Sequence, residues 1–199
     1  SVCSSDLVAR EAGNLGALRS RALLRSRLTQ SALDANDHVT AERSSRQTTE
    51  DWTEFLRFDP SNDTARNNRR VSRGLTSQSL WRQGKLDAAI TMARENTKEL
   101  IALGGSPSTM LATAFGSEVY DNLEADLGNV GDADAALRDG VALRAIAASQ
   151  VEPESYFRMV MPLWNETQRA AVLLRMGRTD EALAAATAAD RKLVQLKPA

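Results

Sequence analysis

His38 and Cys3 are the only histidine and the only cysteine in this sequence, which leaves little from which to build metal or nucleophilic chemistry. A structural zinc site needs four Cys, His or carboxylate ligands, and one histidine beside one N-terminal cysteine does not supply a set. A Ser–His–Asp or Cys–His arrangement has to use that same His38, which sits at a polar turn with nothing else in support. The carboxylates of Asp132, Asp134 and Asp180 follow glycines closely and are accounted for by helix capping. Gly104-Gly105-Ser106 lacks both the lysine and the preceding strand of a phosphate-binding loop. The expected protein is therefore not an enzyme, has no catalytic or metal residues, and carries no cofactor.

Charge is informative through its placement. The formal net charge is −1, from 25 basic and 26 acidic residues, so bulk charge gives no reason to expect nucleic acid or an anionic membrane. Arg19, Arg21, Arg25 and Arg27 nevertheless lie in a stretch with no acidic residue. Arg66, Arg69, Arg70 and Arg73, with Arg82, form a second such run. Glu118, Asp121, Glu124 and Asp126 form the converse, an acidic stretch with no base. One reading is a basic patch at Arg66, Arg69, Arg70 and Arg73 that receives an acidic peptide or a carboxylate. The competing reading is electrostatic pairing between the neighbouring second and third units, plus ordinary surface solubility.

These residues must be held by helices. Gly84-Lys85-Leu86-Asp87-Ala88-Ala89-Ile90 recurs as Gly131-Asp132-Ala133-Asp134-Ala135-Ala136-Leu137 and as Gly177-Arg178-Thr179-Asp180-Glu181-Ala182-Leu183, with a partial copy at Asn36-Asp37-His38-Val39-Thr40-Ala41. The alanines at 41, 89, 136 and 182 set a period of about 47 residues. Glycine past a helix end accepts the left-handed conformation and stops that helix. The aspartate three residues on caps the next helix or sits in its first turn, where the dipole favours a negative charge. The alanine one turn in lets the paired helices approach. Four helix–turn–helix units are predicted, at about 11–58, 63–103, 106–149 and 153–197. Leu15, Leu18, Ala22, Leu24 and Leu28 mark the first helix, and Val39, Trp52, Phe55 and Leu56 the second. Asp59-Pro60-Ser61-Asn62-Asp63 ends the first unit, with polar caps after the proline. No stretch alternates with period two, so the fold class is all-α.

Ser1–Leu7 fits none of these patterns and resembles a translated sequencing adapter, so residues 1–10 are expected to be a non-native or disordered leader ahead of one repeat domain at 11–198. No apolar run approaches the roughly 18 residues of a membrane-spanning helix. A cytoplasmic location is expected, or a periplasmic one if an upstream segment spans a membrane.

The order of helix, glycine turn, aspartate, alanine and second helix ending near Asp-Pro resembles the tetratricopeptide repeat. Leu56-Arg57-Phe58-Asp59-Pro60-Ser61-Asn62 resembles its inter-repeat joint, and Leu80-Trp81-Arg82-Gln83-Gly84-Lys85-Leu86-Asp87-Ala88-Ala89-Ile90 its core. The long period is similar to that of repeats appended to bacterial multidomain signalling proteins; the standard repeat is 34 residues. The resemblance implies a right-handed α-α superhelix, a solenoid of about four repeats. It implies a non-catalytic protein–protein interaction scaffold, the C-terminal repeat module of a larger signalling or regulatory protein. A peptide or helix, acidic in part, is the implied partner in the concave groove. The family's groove positions fall on Gln78, Trp81 and Arg82, on Asp121 and Asn129, and on Trp164 and Arg175. Against this stands the preferred reading, in which the two tryptophans are core and the polar residues a solvated face, since single large apolar residues are more often buried than functional. The alternative function is nucleic-acid binding through the arginine-rich first helices, disfavoured by the low aromatic content.

Overall fold

The computed structural model describes residues 3–102, 120, 122–126, 130–149 and 156–196. Every regular element among them is an α-helix: α1 (Cys3–Asp34), α2 (His38–Phe58), α3 (Asp63–Arg82), α4 (Leu86–Ala102), α5 (Val130–Ser149), α6 (Tyr156–Arg175) and α7 (Thr179–Leu196). The all-α expectation holds, and the breaks at 35–37, 59–62, 83–85 and 176–178 fall at the expected turns. α1 starts at Cys3, ahead of the first unit expected at Glu11. The chain divides into two compact bodies, residues 1–92 and 93–199.

Three turns share one hydrogen-bond pattern. The Lys85 N–H donates to the Leu80 carbonyl (3.0 Å) and the Gly84 N–H to that of Trp81 (2.9 Å). Arg178 and Gly177 repeat this on Leu173 (2.9 Å) and Leu174 (3.1 Å), and Asp37 and Asn36 repeat it on Ala32 (2.8 Å) and Leu33 (3.0 Å). This is the Schellman closure, which satisfies carbonyls at a helix C-terminus. It requires a left-handed residue, and Gly84 (φ 74°), Gly177 (φ 72°) and Asn36 (φ 57°) all adopt that conformation. No neighbour crowds a Cβ at either glycine, so alanine there is penalised by the backbone alone, at about 1 kcal/mol. Asn36 thus performs the glycine's role in the first unit. Gly131 differs, because it lies inside α5 as a helical residue.

The capping chemistry is local. Asp37 accepts the Thr40 N–H (3.0 Å) at the start of α2, and that bond, first among its causes, holds its carboxyl below the ordinary value. Asn62 accepts the Ala65 N–H (2.9 Å) at the start of α3. Asp87 and Asp180 occupy the first turns of α4 and α7. Asp134 lies too deep in α5 for that role.

The repeat alanines Ala41, Ala89, Ala136 and Ala182 are all buried. At Ala89 the approach is direct, its carbonyl accepting the Ser77 hydroxyl at 2.8 Å. In the first body, Leu18 and Ala22 of α1 pack with Trp52 and Phe55 of α2 and Ala65 of α3. Trp52 and Phe55 meet edge-on, their centroids 5.7 Å apart. The middle of this core is not apolar. Thr29 and Ser44 share a hydrogen bond (2.8 Å) between α1 and α2, and Thr76 donates to Ser45 (2.8 Å) between α3 and α2. Such small hydroxyls bring helices close and pair with one another or with carbonyls one turn back. Three leucine or valine positions expected on the buried stripe, Leu24, Leu28 and Val39, are exposed instead, since hydroxyl residues occupy those interfaces.

Two buried carboxylates each meet arginine. Asp51 binds Arg21 Nε (2.9 Å) and Arg25 (2.7 Å), and the Asp51 bond holds the proton on the Arg21 guanidinium more firmly than usual. In the second body, Glu124 binds Arg94 (2.7 Å), which likewise raises the Arg94 pKa. Burial and the Glu124 charge together push the Tyr120 phenol up. Asp126 is paired with Arg175 (3.2 Å). Glu124 and Asp126 are therefore served by α4 and α6.

Candidate functional site

Within the second body, α5 and α6 stand apart and leave a cleft of about 790 Å³. That volume lies in the range of natural ligand sites. Its α5 wall repeats at helical spacing, with Leu137, Val141, Ala145 and Ala148 facing in. Met161 and Pro162 of α6 complete the apolar floor.

The rim is charged. Arg138, Arg158, Arg169 and Lys192 supply four cations, against the carboxylates of Asp134 and Glu166. Both carboxylates have partners: Lys192 binds Glu166 at 2.9 Å, and Arg178, just outside the lining, binds Asp134 at 2.8 Å. Hydrogen bonds to Glu181 and then Asp134 stabilise the Arg178 cation and raise its pKa, and the same Arg178 bond draws the Glu181 carboxyl below its ordinary value. Arg138 is exposed and makes no ion pair among the described residues. The cleft is thus apolar at its base and charged at its lip. Arg144, fully buried behind it, donates to the Asn165 side chain and ties the two walls at mid-length.

The residues expected from the family's groove positions lie elsewhere. Gln78 and Trp81 are half-buried near the end of α3, and the Arg82 guanidinium stacks over the Trp81 ring at 4.8 Å. Trp164 is half-buried on α6, and Arg175 binds Asn122 as well as Asp126. None of these five lines the cleft. Asp121 and Asn129 lie outside the described residues.

The basic patch is dispersed rather than presented. Arg70 is buried, Arg66 pairs with Asp63 (3.3 Å), and Arg69, Arg70 and Arg73 each engage another group. Of the α1 arginines, Arg21 and Arg25 are held by Asp51, while Arg19 and Arg27 remain exposed. These pairs lie within the first unit or within one helix; Arg94 of the second unit with Glu124 of the third is a pair of the kind the competing reading expects.

A second polar cluster marks the α2/α3 joint. Glu42 accepts from Gln83 (2.9 Å), Lys85 (2.9 Å) and Arg46 (3.0 Å). Burial pushes its carboxyl up, but the bonds from Lys85, Arg46 and Gln83 outweigh burial and leave it below the ordinary value. Lys85 follows Gly84 and reaches Glu42, as Arg178 follows Gly177 and reaches Asp134. The base after the turn residue thus ties back to the second helix of the preceding unit in both bodies.

No group of His, Cys, Asp and Glu that could hold a metal ion occurs among the described residues. His38 sits at the start of α2 with its carbonyl accepting from Gln83 (3.0 Å). No described helix is long and apolar enough to cross a membrane. The cleft residues Arg138, Arg158 and Arg169 were missed by reading each helix for charge alone. The available signal was positional: counted from the turn glycines, α6 carries arginine where α3 carries small residues. No protein-family model, curated protein or solved structure matches this chain.

Proposed function

We propose that this chain is a non-catalytic interaction scaffold of the helical-repeat kind, similar in plan to the tetratricopeptide repeat and built to hold a peptide or helix of another protein. The observation that carries this reading is the α5/α6 cleft, an open space with an apolar floor and a charged lip. Such a combination suits recognition, because apolar anchors supply affinity and rim charges supply orientation and specificity. The recurrence of one turn geometry at Asn36, Gly84 and Gly177 supports stacked helix pairs, and an α-α superhelix is the arrangement proposed for them. Nucleic-acid binding is the less favoured function, since Arg21 and Arg25 are committed to Asp51 and Arg70 is buried.

The test is chemical crosslinking of the whole chain in its native extract, followed by reconstitution of each recovered partner from purified components. The expected outcome is a protein that binds saturably and in fixed stoichiometry. Recovery of no such protein, together with oligonucleotide binding that weakens steeply as salt rises, overturns the reading in favour of nucleic acid.

A further inference from the structure

α7 buries a face of alanines and leaves bulkier aliphatic residues on the other side. Ala182, Ala185 and Ala189 are the buried positions, and the first two pack with Leu173 of α6. Opposite them, Asp180, Leu183, Ala184, Thr187, Ala188 and Arg191 line a shallow hollow of about 400 Å³. These six recur at three- and four-residue spacing and so share one stripe of the helix. Leu183 is 66% exposed there, and Val194, which continues the stripe, is 59% exposed.

The charges of the stripe sit at its two ends. Asp180 opens it in the first turn of α7, and Arg191 closes it eleven residues later, about 16 Å along the axis. Both are exposed, and neither forms an ion pair among the described residues. The nearby carboxylates of Glu181 and Asp190 lie about a quarter-turn to either side, and Glu181 is held by Arg178. The stripe is therefore acidic at one end, basic at the other and aliphatic between. With one charge of each sign, it does not select an acidic or a basic partner.

Reversed end for end, the stripe complements itself. Asp180 and Arg191 are equidistant from the midpoint between Ala185 and Ala186, and so are Leu183 and Ala188, and Ala184 and Thr187. When two copies of the helix run antiparallel about a two-fold axis through that midpoint, equidistant residues come level with one another. Asp180 of each copy then meets Arg191 of the other. Leu183 comes level with Ala188, a large side chain with a small one. Val194 comes level with Gly177, which offers no side chain. A parallel pairing instead sets Asp180 against Asp180 and Arg191 against Arg191.

We infer that the outer face of α7 is an interface between two copies of this chain, packed antiparallel through α7 with two Asp180–Arg191 pairs. One helix face buries less than roughly 1,200 Å² in total, so a dimer with a Kd of about 10–100 µM is expected.

The test is sedimentation equilibrium of the full chain from about 5 to about 500 µM, with monomer expected at the low end and chiefly dimer at the high end. Leu183→Asp, at an exposed position that tolerates the change, is expected to raise the Kd about tenfold or more. Asp180→Arg sets arginine against arginine at both ends, and Arg191→Asp sets aspartate against aspartate. Each alone is expected to weaken association about tenfold. An equimolar mixture of these two variants restores opposite charges at both ends and is expected to dimerise about as tightly as the unaltered chain. A contact elsewhere on the molecule does not give that recovery. Melting curves of each variant confirm that the fold is kept. A chain that stays monomeric at about 500 µM, a dimer indifferent to Leu183→Asp, or no recovery on mixing the two charge variants overturns the inference. Those results leave the scaffold reading intact, because it does not depend on α7 pairing with its own copy.

Discussion

The α2/α3 and α5/α6 joints connect equivalent helices, yet one is closed and the other open. At the closed joint Thr76 and Ser45 meet at 2.8 Å, and Ala65 packs with Trp52 and Phe55. At the open joint the corresponding α6 positions carry two arginines and an asparagine, and the ties there include Arg144–Asn165 and Asp134–Arg178. The two joints thus differ in side-chain size and charge at a few register positions. Both joints keep the turn, the buried repeat alanine and a basic residue reaching back to a carboxylate. What distinguishes a structural junction from a candidate binding site is the content of the faces.

The comparison breaks most visibly if the closed joint is given the residue of the open one. Thr76→Arg places a guanidinium at a site 1% exposed and overfills it. A loss of about 3 kcal/mol or more is expected, read from urea unfolding. Asp51→Asn removes the carboxylate held by Arg21 and Arg25, leaving both cations without their buried partner, and is expected to lose about 2 kcal/mol in the same assay. The tie at Glu42 adds a pH signature. Its folded carboxyl titrates below the ordinary 4.5, so its stabilisation is complete above that value and is lost as pH falls through the folded value. Acid unfolding of Glu42→Gln should show a correspondingly shallower loss below pH 4.5, the pH-independent difference being subtracted. Smallest is the reverse exchange. Arg169→Thr removes an exposed charge from the open joint, and a change within about 0.5 kcal/mol is expected. A large gain there would mean that arginine alone holds the walls apart.

Much of the helical plan was legible because turn chemistry is local. Asn62 caps α3 and Gly84 and Gly177 close their turns where expected, and those bonds involve residues within five positions of one another. The buried faces were less legible. Leu24, Leu28 and Val39 carry the hydrophobic signal but point outward, while Thr29, Ser44, Thr48 and Thr76 carry none and are buried. Their burial is possible because each hydroxyl finds an acceptor one turn back or across the interface, a solution that hydropathy periodicity does not register. Gly131 shows the converse limit, since the heptapeptide that predicts a turn there is helical. The cleft was hidden for a third reason. Arg158 and Arg169 are unremarkable in α6 alone and become informative only beside Ala65 and Thr76.

Pro162 introduces an asymmetry between α6 and α3, whose corresponding residue is Arg69. Proline offers no N–H to the Arg158 carbonyl, so the opening turn of α6 is fastened to the remainder by one rung fewer. In heavy water, the Val160 and Met161 amides are therefore expected to take up deuterium sooner than those of Asn67 and Asn68. The wall that carries Arg158 thus begins in the most loosely laddered stretch of its helix.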